Sequence, residues 1–145
     1  MKKVAIIDDN YYLTDNLQNL LVIKNFDVKI FKTRKTAEIG LVNFNPDIII
    51  CDITLPDGNG EQIIKNLRTN SFFDLVPIII LTGTPNLDKD ELLNLGVYKF
   101  LLKPVPFELL HRAINKALTK RDKYIQEKKI SHHIKNILNR LAIKI

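Results

Sequence analysis

The run from Asp47 to Asp52 constrains the fold of this chain more than any other stretch. Three isoleucines and a cysteine stand between the two carboxylates, and a turn-rich segment of proline, aspartate, glycine and asparagine follows. Consecutive β-branched residues suit a strand that is buried on both faces, as in a parallel sheet. A carboxylate at the carboxyl end of such a strand lies where open α/β sheets place their ligands. The alternative is an aspartate that only begins a turn.

Four further apolar strands alternate with segments of helical periodicity along the chain. The predicted strands cover residues 4–7, 27–32, 48–51, 77–82 and 99–102, and the predicted helices cover 10–25, 36–43, 60–70, 87–95 and the residues from 106 onwards. Strands that alternate with short helices imply a parallel sheet with helices on both faces. We therefore predict a three-layer, doubly wound α/β sandwich with a five-stranded parallel sheet of the flavodoxin-like type.

The charge of the chain is concentrated at its C-terminal end. Residues 1–119 hold fourteen basic and fourteen acidic residues, whereas residues 120–145 hold eight basic and two acidic ones, which gives the whole net charge of +6. The balanced charge of residues 1–119 speaks against direct nucleic-acid binding by that part. No apolar run reaches the ~18 residues of a membrane span. The single cysteine, Cys51, is predicted to be a buried thiol in a protein of the reducing cytoplasm.

Five chemically active side chains follow the predicted strands. The first strand ends at Asp8 and Asp9, the third at Asp52, the fourth at Thr82 and the fifth at Lys103. The carboxyl ends of parallel strands meet at one edge, so these groups are expected to lie together. Carboxylates ~4 Å apart repel one another by about 4 kcal/mol at an effective dielectric of 20. A raised pKa, a bound cation or the lysine must compensate for this repulsion. Oxygen ligands of this kind suit Mg²⁺ or Mn²⁺.

The motifs at these strand ends resemble a known family. They are Ile-Ile-Asp-Asp ending at Asp9, Asp-Ile-Thr-Leu-Pro-Asp-Gly from Asp52, Ile-Leu-Thr-Gly around Thr82 and Phe-Leu-Leu-Lys-Pro around Lys103. With these motifs and their spacing, residues 1–119 resemble the receiver domain of two-component response regulators. The resemblance covers about four-fifths of the chain.

The resemblance implies the roles of the acidic residues. Asp52 would be the phosphoacceptor, receiving a phosphoryl group from a phosphohistidine on a histidine kinase or phosphotransfer protein. Asp9, Asp52 and the backbone carbonyl of Thr54 would ligate Mg²⁺, and Asp8 would act through water. A carboxylate is a competent nucleophile toward phosphorus, which agrees with this assignment.

The resemblance also implies a switch. Thr82 and Phe100 would be the switch pair, Lys103 would bind the phosphoryl group, and the peptide bond between Lys103 and Pro104 would be cis. The face made by the fourth helix, the fifth strand and the fifth helix would then change its affinity for partners, a second copy included. From the residues alone, an ordinary core position for Phe100 is favoured, and only its place three residues before Lys103 indicates a switch.

Two other function classes remain open at this stage. One is a receiver-like interaction module that is never phosphorylated. The other is a phosphohydrolase with an aspartyl-phosphate intermediate, which would need a second acid two residues after the nucleophile, where this chain has Thr54. Apart from self-phosphotransfer and autodephosphorylation, the sequence predicts no enzymatic turnover unless the chain is part of a histidine kinase. The output, the cognate kinase and the phosphate lifetime are not readable from it.

Residues 120–145 are predicted to be a basic amphipathic helical extension, or a linker to an output or kinase domain. Residues 107–145 contain no proline or glycine, so the last helix is expected to continue with an apolar stripe at 130, 134, 137, 138 and 141. The segment from Ser131 to Leu138 resembles the phosphoacceptor motif of sensor histidine kinases, with His132 at the acceptor position. The alternatives are a plain dimerisation or linker helix and a basic surface for nucleic acid or membrane.

Overall fold

The computed structural model describes residues 1–84 and 86–142, and the elements named below lie within them. The strands are β1 (Lys3–Ile7), β2 (Asp27–Phe31), β3 (Ile48–Cys51), β4 (Thr54–Leu55), β5 (Gly58–Asn59), β6 (Ile78–Thr82) and β7 (Val97–Leu102). The α-helices are α1 (Tyr11–Ile23), α2 (Arg34–Phe44), α3 (Gly60–Arg68), α4 (Lys89–Asn94) and α5 (Phe107–Leu141), and a 3₁₀ turn covers Ser71–Phe73.

Five of the strands form one parallel sheet in the order β2-β1-β3-β6-β7. The run of isoleucines in β3 lies at the centre of this sheet, paired with β1 on one side and β6 on the other. Each residue of β3 is buried, as expected of a strand that helices cover on both faces. The five-stranded, three-layer prediction is confirmed.

Successive side chains of the central strands point to opposite faces and build two separate cores. Helices α2, α3 and α4 pack on one face, together with Ile49 and Ile80. Helices α1 and α5 pack on the other face, together with Ile48 and Ile79. The two cores fix the sheet between two helical layers and leave its carboxyl edge open for side chains.

Helix α2 begins earlier than the sequence pattern suggested. Thr33 is the N-cap: its side chain accepts the backbone N–H of Thr36, and the Thr36 hydroxyl accepts the backbone N–H of Thr33. The prediction placed the start of this helix at Thr36, two residues after its first residue, Arg34, and three after its cap, Thr33, because both threonines take part in one reciprocal cap. Gly96 follows α4 with φ of +78°, the left-handed backbone that glycine commonly adopts just after a helix.

Helix α5 runs antiparallel to the strands and continues beyond the sheet. It starts after the carboxyl end of β7, and Arg121 reaches the opposite edge, where its Nη1 donates to Oδ1 of Asp47 at 2.7 Å. Nearby, Lys2 Nζ donates to Oδ1 of Asp122 at 2.9 Å. Burial raises the pKa of Asp47, but the Lys3 N–H and the Arg121 guanidinium outweigh this and lower it overall. Residues 126–142 are all exposed.

The helix crosses the predicted boundary at residue 120 without a break. The division into a receiver (1–119) and an extension (120–145) therefore remains a prediction about function. Residues 143–145 of the predicted extension lie outside the described residues.

Candidate functional site

Strands β1 and β3 place three carboxylates at the carboxyl edge of the sheet. The backbone pairing continues one residue past each strand: Asp8 N–H donates to the carbonyl of Phe31 at 3.0 Å, and Asp52 N–H donates to the carbonyl of Ile7 at 2.9 Å. Asp8 is 3% exposed and Asp52 is 8% exposed, whereas Asp9 is exposed. The sheet therefore fixes the backbone of two buried acids side by side.

Lys103 joins these two buried acids. Its Nζ donates to Oδ2 of Asp8 at 2.7 Å and to Oδ2 of Asp52 at 3.0 Å. The Lys103 backbone N–H donates to the carbonyl of Thr82 at 2.8 Å, which holds the end of β7 against β6. The Lys103–Pro104 peptide bond is cis, as the sequence resemblance implied.

The pKa of Lys103 reflects the negative charge of this cluster. Burial alone would lower the pKa of Lys103, but hydrogen bonds from the ammonium to Asp8 and Asp52, together with their negative charges, raise it overall. Lys103 is therefore a firmly charged ammonium at neutral pH. One cation nevertheless faces three acids, so the cluster retains room for a further positive charge.

The three acids fit a hard divalent cation. Asp8, Asp9 and Asp52 each offer one carboxylate oxygen, and these three atoms lie within 4.8 Å of one another. An all-oxygen set of this size is what Mg²⁺ accepts when it keeps several waters. The described residues thus bring together the acids that the sequence predicted, and the donor chemistry agrees with the predicted ion.

The predicted switch residues lie beside the cluster. Thr82 is 3% exposed, and its Oγ1 accepts the backbone N–H of Thr84 at 3.2 Å. Thr82 and Phe100 both line a cavity of about 110 Å³ between the ends of β6 and β7 and the start of α4. Phe100 is only half-buried, so its ring has space in which to change position.

Two residues that sequence reasoning left out hold the loop after Asp52. The carboxylate of Asp57 accepts the backbone N–H of Arg34 at 2.7 Å and of Lys35 at 3.0 Å, which ties the loop to the first turn of α2. A Cβ atom at Gly60 would collide with the carbonyl oxygen of Asp52. The local sequence shows both residues only as turn formers. No local signal reveals the contacts of Asp57 with α2, more than 20 residues away, or the close approach of Gly60 to the backbone of Asp52.

The remaining sequence candidates lie apart from this cluster. Cys51 is fully buried, and burial followed by the charges of Asp52 and Asp8 raises the pKa of its thiol, which keeps it un-ionised. His132 is exposed on α5, beyond the point where Arg121 meets the opposite edge of the sheet. The structure therefore does not bring His132 to Asp52 within one chain.

Comparison with known proteins identifies the family of this chain. Residues 4–115 match the model of the response regulator receiver domain. The chain belongs to this family of two-component receiver domains, whose members interact with histidine kinases or phosphotransfer proteins. The fold agrees: a CheY-like receiver domain from Methanospirillum hungatei JF-1 superposes with a TM-score of 0.79 at 24% identity, covering 86% of this chain and 98% of that one.

Curated relatives match at similar levels of identity. A probable transcriptional regulator, ycf29, of Pyropia yezoensis is 31% identical over 111 residues, which is 74% of this chain and 50% of that protein. A probable cyclic di-GMP phosphodiesterase of Vibrio cholerae is 28% identical over 126 residues, which is 84% of this chain and 28% of that protein. The chain thus spans between about a quarter and a half of these relatives. Within the described residues, no helix is both long and apolar enough to cross a membrane.

Proposed function

We propose that this chain is a phosphorylation-dependent switch in which Asp52 accepts the phosphoryl group of a phosphohistidine donor. The observation that carries the proposal is the ammonium of Lys103, which bridges Asp8 and Asp52 at 2.7 and 3.0 Å. It places a fixed cation beside the oxygen that would become bonded to phosphorus. A preorganised positive charge at that point stabilises the charge that develops during transfer.

The residues of the cluster divide the work of the reaction. Mg²⁺ would be held by Asp9, Asp52 and the backbone carbonyl of Thr54, with Asp8 acting through water, and it would supply neutralisation of the phosphoryl oxygens. A carboxylate oxygen of Asp52 forms the new O–P bond as the N–P bond of the donor breaks. The leaving imidazole keeps the bonding electron pair and takes a proton from solvent. Lys103 holds one phosphoryl oxygen.

The conformational change would begin at Thr82 and Phe100, beside the new phosphoryl group. An aspartyl phosphate adds negative charge and strong acceptor oxygens to the cluster. The hydroxyl of Thr82 can exchange its bond from the Thr84 N–H for one to a phosphoryl oxygen, and Phe100 then occupies the cavity that both residues line. The surface of α4, β7 and α5 is the part of the molecule that this movement would alter.

The chain also has a place in a larger protein. We assign it to the receiver of a larger cytoplasmic regulator or hybrid kinase, which agrees with its span of a quarter to a half of its relatives. His132 is proposed as a second phosphoacceptor. Because it lies about 15 Å along α5 past Asp122, on the side opposite Asp52, transfer between the two would take place between molecules.

The test is a phosphorylation assay with the whole chain. The purified protein is incubated with Mg²⁺ and acetyl phosphate, or with a phosphohistidine protein, and its intact mass and modified residue are recorded. One phosphoryl group on Asp52 is expected, with loss of at least a hundredfold in yield in Asp52→Ala or after Mg²⁺ is chelated, on the order of a catalytic group removed.

Asp74→Ala is the matched control, because Asp74 is an acid at the other end of the sheet and should leave the yield unchanged. A phosphoryl group that persists in Asp52→Ala at another acid would overturn the assignment of Asp52. No phosphoryl group from either donor would overturn the switch and favour the interaction module. A second, acid-labile group that disappears in His132→Gln would support the relay, and its absence would remove His132 from the proposal.

A further inference from the structure

The part of α5 beyond the sheet presents an apolar seam to solvent. Its members share an exposed aliphatic side chain on one side of the helix: Ile130, Ile134, Ile137, Leu138 and Leu141, which are 39–78% exposed. We refer to these five residues as the distal seam. Exposed aliphatic residues that are contiguous on one face mark a surface that another molecule covers.

The distal seam lies on the side of α5 that faces away from its own receiver. At about 100° per residue, its centre is about 145° around the helix from the centre of the buried face. The buried face consists of Leu110, Ala113, Ile114, Ala117 and Leu118. A molecule that covers the distal seam therefore meets no obstacle from the receiver. Because every residue from 126 to 142 is exposed, the receiver itself does not cover it.

The shape of the seam selects an α-helix as the occupant. Ile130, Ile134, Ile137 and Leu141 follow spacings of 4, 3 and 4, which is the 3.5-residue period of a coiled coil. These four positions fall within about 60° of the helix circumference, and Leu138 widens the apolar face to about 100° on one side. Lys128, Lys129 and Lys135 lie more than about 110° from the centre of the seam, clear of a paired helix.

The charges beside the seam favour a second copy of this chain over an unlike helix. Unlike partners in coiled coils are specified by opposite charges at the two positions that flank the seam. The positions that flank the line from Ile130 to Leu141 are Ser131, His133, Arg140 and the fifth seam residue, Leu138. They include no acid and so form no acid–base pattern. A seam of isoleucine and leucine is complementary to itself, as a two-fold interface requires.

We propose that the distal seam is a homodimer interface, in which residues 130–141 of two copies pair as helices. Within the described residues the seam is about three helical turns long, and on its N-terminal side Lys123 and Glu127 interrupt the same line. Pairing is accordingly weak and depends on concentration. The two receivers lie outside the paired helices, each with Asp52 at the edge far from the seam. Phosphorylation of Asp52 is not required for pairing, so this proposal stands or falls separately from the proposed function.

The test is sedimentation equilibrium of the full chain over about a hundredfold range of concentration. The wild type is expected to rise from monomer mass toward dimer mass. Ile134→Gln with Ile137→Gln should weaken association by at least about tenfold, because it removes two seam side chains while keeping good helix formers. Asn136→Gln with Asn139→Gln is the matched control. It has the same spacing, lies about 150° from the seam, and should associate as the wild type does.

Disulfide trapping provides a second readout, because the only native cysteine, Cys51, is buried. Ile134→Cys alone should cross-link in a parallel pair, and Ile130→Cys mixed with Leu141→Cys should cross-link in an antiparallel pair. Either cross-link supports the proposal. A wild type that remains monomeric throughout would overturn it, as would a dimer that survives the two glutamine substitutions. Monomers that bind phosphatidylserine vesicles only with the intact seam would overturn it in favour of a membrane surface.

Discussion

At the scale of a single residue, the ammonium of Lys103 offsets part of the negative charge of the acidic cluster. It is the one described cation that contacts the buried acids Asp8 and Asp52, and its side chain is itself 21% exposed. If the ammonium is removed, two buried carboxylates face each other with no cation between them. They keep only the backbone N–H groups of Asn10 and Thr54 as donors. Such a loss generally costs more than the pair contributed when it was intact.

We expect Lys103→Met to lower the free energy of unfolding by about 1–3 kcal/mol at neutral pH. The folded-state pKa of Lys103 lies above its ordinary value of 10.5, so the stabilisation is fully present below pH 10.5. It is lost as the pH rises through the folded-state pKa. Urea unfolding of both proteins from neutral to strongly alkaline pH should therefore show a difference that shrinks above pH 10.5. A difference that stays constant to high pH would contradict this role of the ammonium.

At the scale of secondary-structure elements, Arg68 joins the end of α3 to two other segments, one of which lies 27 and 28 residues further along the chain. It is the last residue of α3, and its guanidinium donates to four backbone carbonyls. These belong to Phe73 at 2.6 Å, Leu95 at 2.7 Å, Val76 at 3.0 Å and Gly96 at 3.2 Å. Burial lowers the pKa of Arg68, but guanidinium remains protonated in proteins. The side chain thus fixes the end of α3 to the loop before β6 and to the turn between α4 and β7.

We expect Arg68→Met to lower the free energy of unfolding by about 2–4 kcal/mol, because four carbonyls lose a charged donor. Arg68→Lys should recover less than half of this, since one ammonium cannot reproduce the planar fork. Denaturant unfolding of the variants provides the measurement. Lys65→Met is the matched control on the same helix, because the exposed pair between Lys65 and Glu91 should contribute no resolvable stability. An Arg68→Lys protein as stable as the wild type would contradict the argument.

The same elements show what the sequence could and could not reveal. The five strands and the acids at their ends were predictable, because apolar runs and strand-end residues are local patterns. The contacts of Arg68, Asp57 and Arg121 were not, because their partners are backbone groups or residues that only the folded chain brings near. Asp47 and Arg121 are 74 positions apart. The N-cap of α2 was predicted at Thr36 and is Thr33, because either threonine on its own is compatible with a helix cap.

At the scale of the whole molecule, two ion pairs anchor α5 at the edge opposite the cluster. The Arg121–Asp47 pair is largely buried, with side chains 19% and 24% exposed, whereas the Lys2–Asp122 pair is exposed. Partly buried pairs restrain local opening more than exposed ones do. The segment 117–125, from which the exposed part of α5 extends, is therefore held chiefly by Arg121.

We expect Arg121→Gln to raise the hydrogen-exchange rate of amides 117–125 by about tenfold, which corresponds to about 1.4 kcal/mol of local opening free energy. The strands of the sheet should exchange as before. Hydrogen-exchange mass spectrometry of the whole chain measures both, with Lys123→Gln as the neighbouring control for loss of one positive charge. Unchanged exchange rates in residues 117–125 would show that the Arg121–Asp47 pair does not hold this segment.

The anchored helix has a mechanical consequence. About 22 Å of α5 lie between Phe107, close to the cluster, and the anchor at Asp122, and about 28 Å lie between the anchor and Leu141. A rigid rod that pivots at the anchor is a lever whose far arm is about a quarter longer than its near arm. It would reverse the direction of a displacement at one end and enlarge it by about a quarter at the other. An ångström-scale movement beside Lys103 would thus arrive as an ångström-scale movement of the helix tip, which is the scale at which interdigitated side chains change partners.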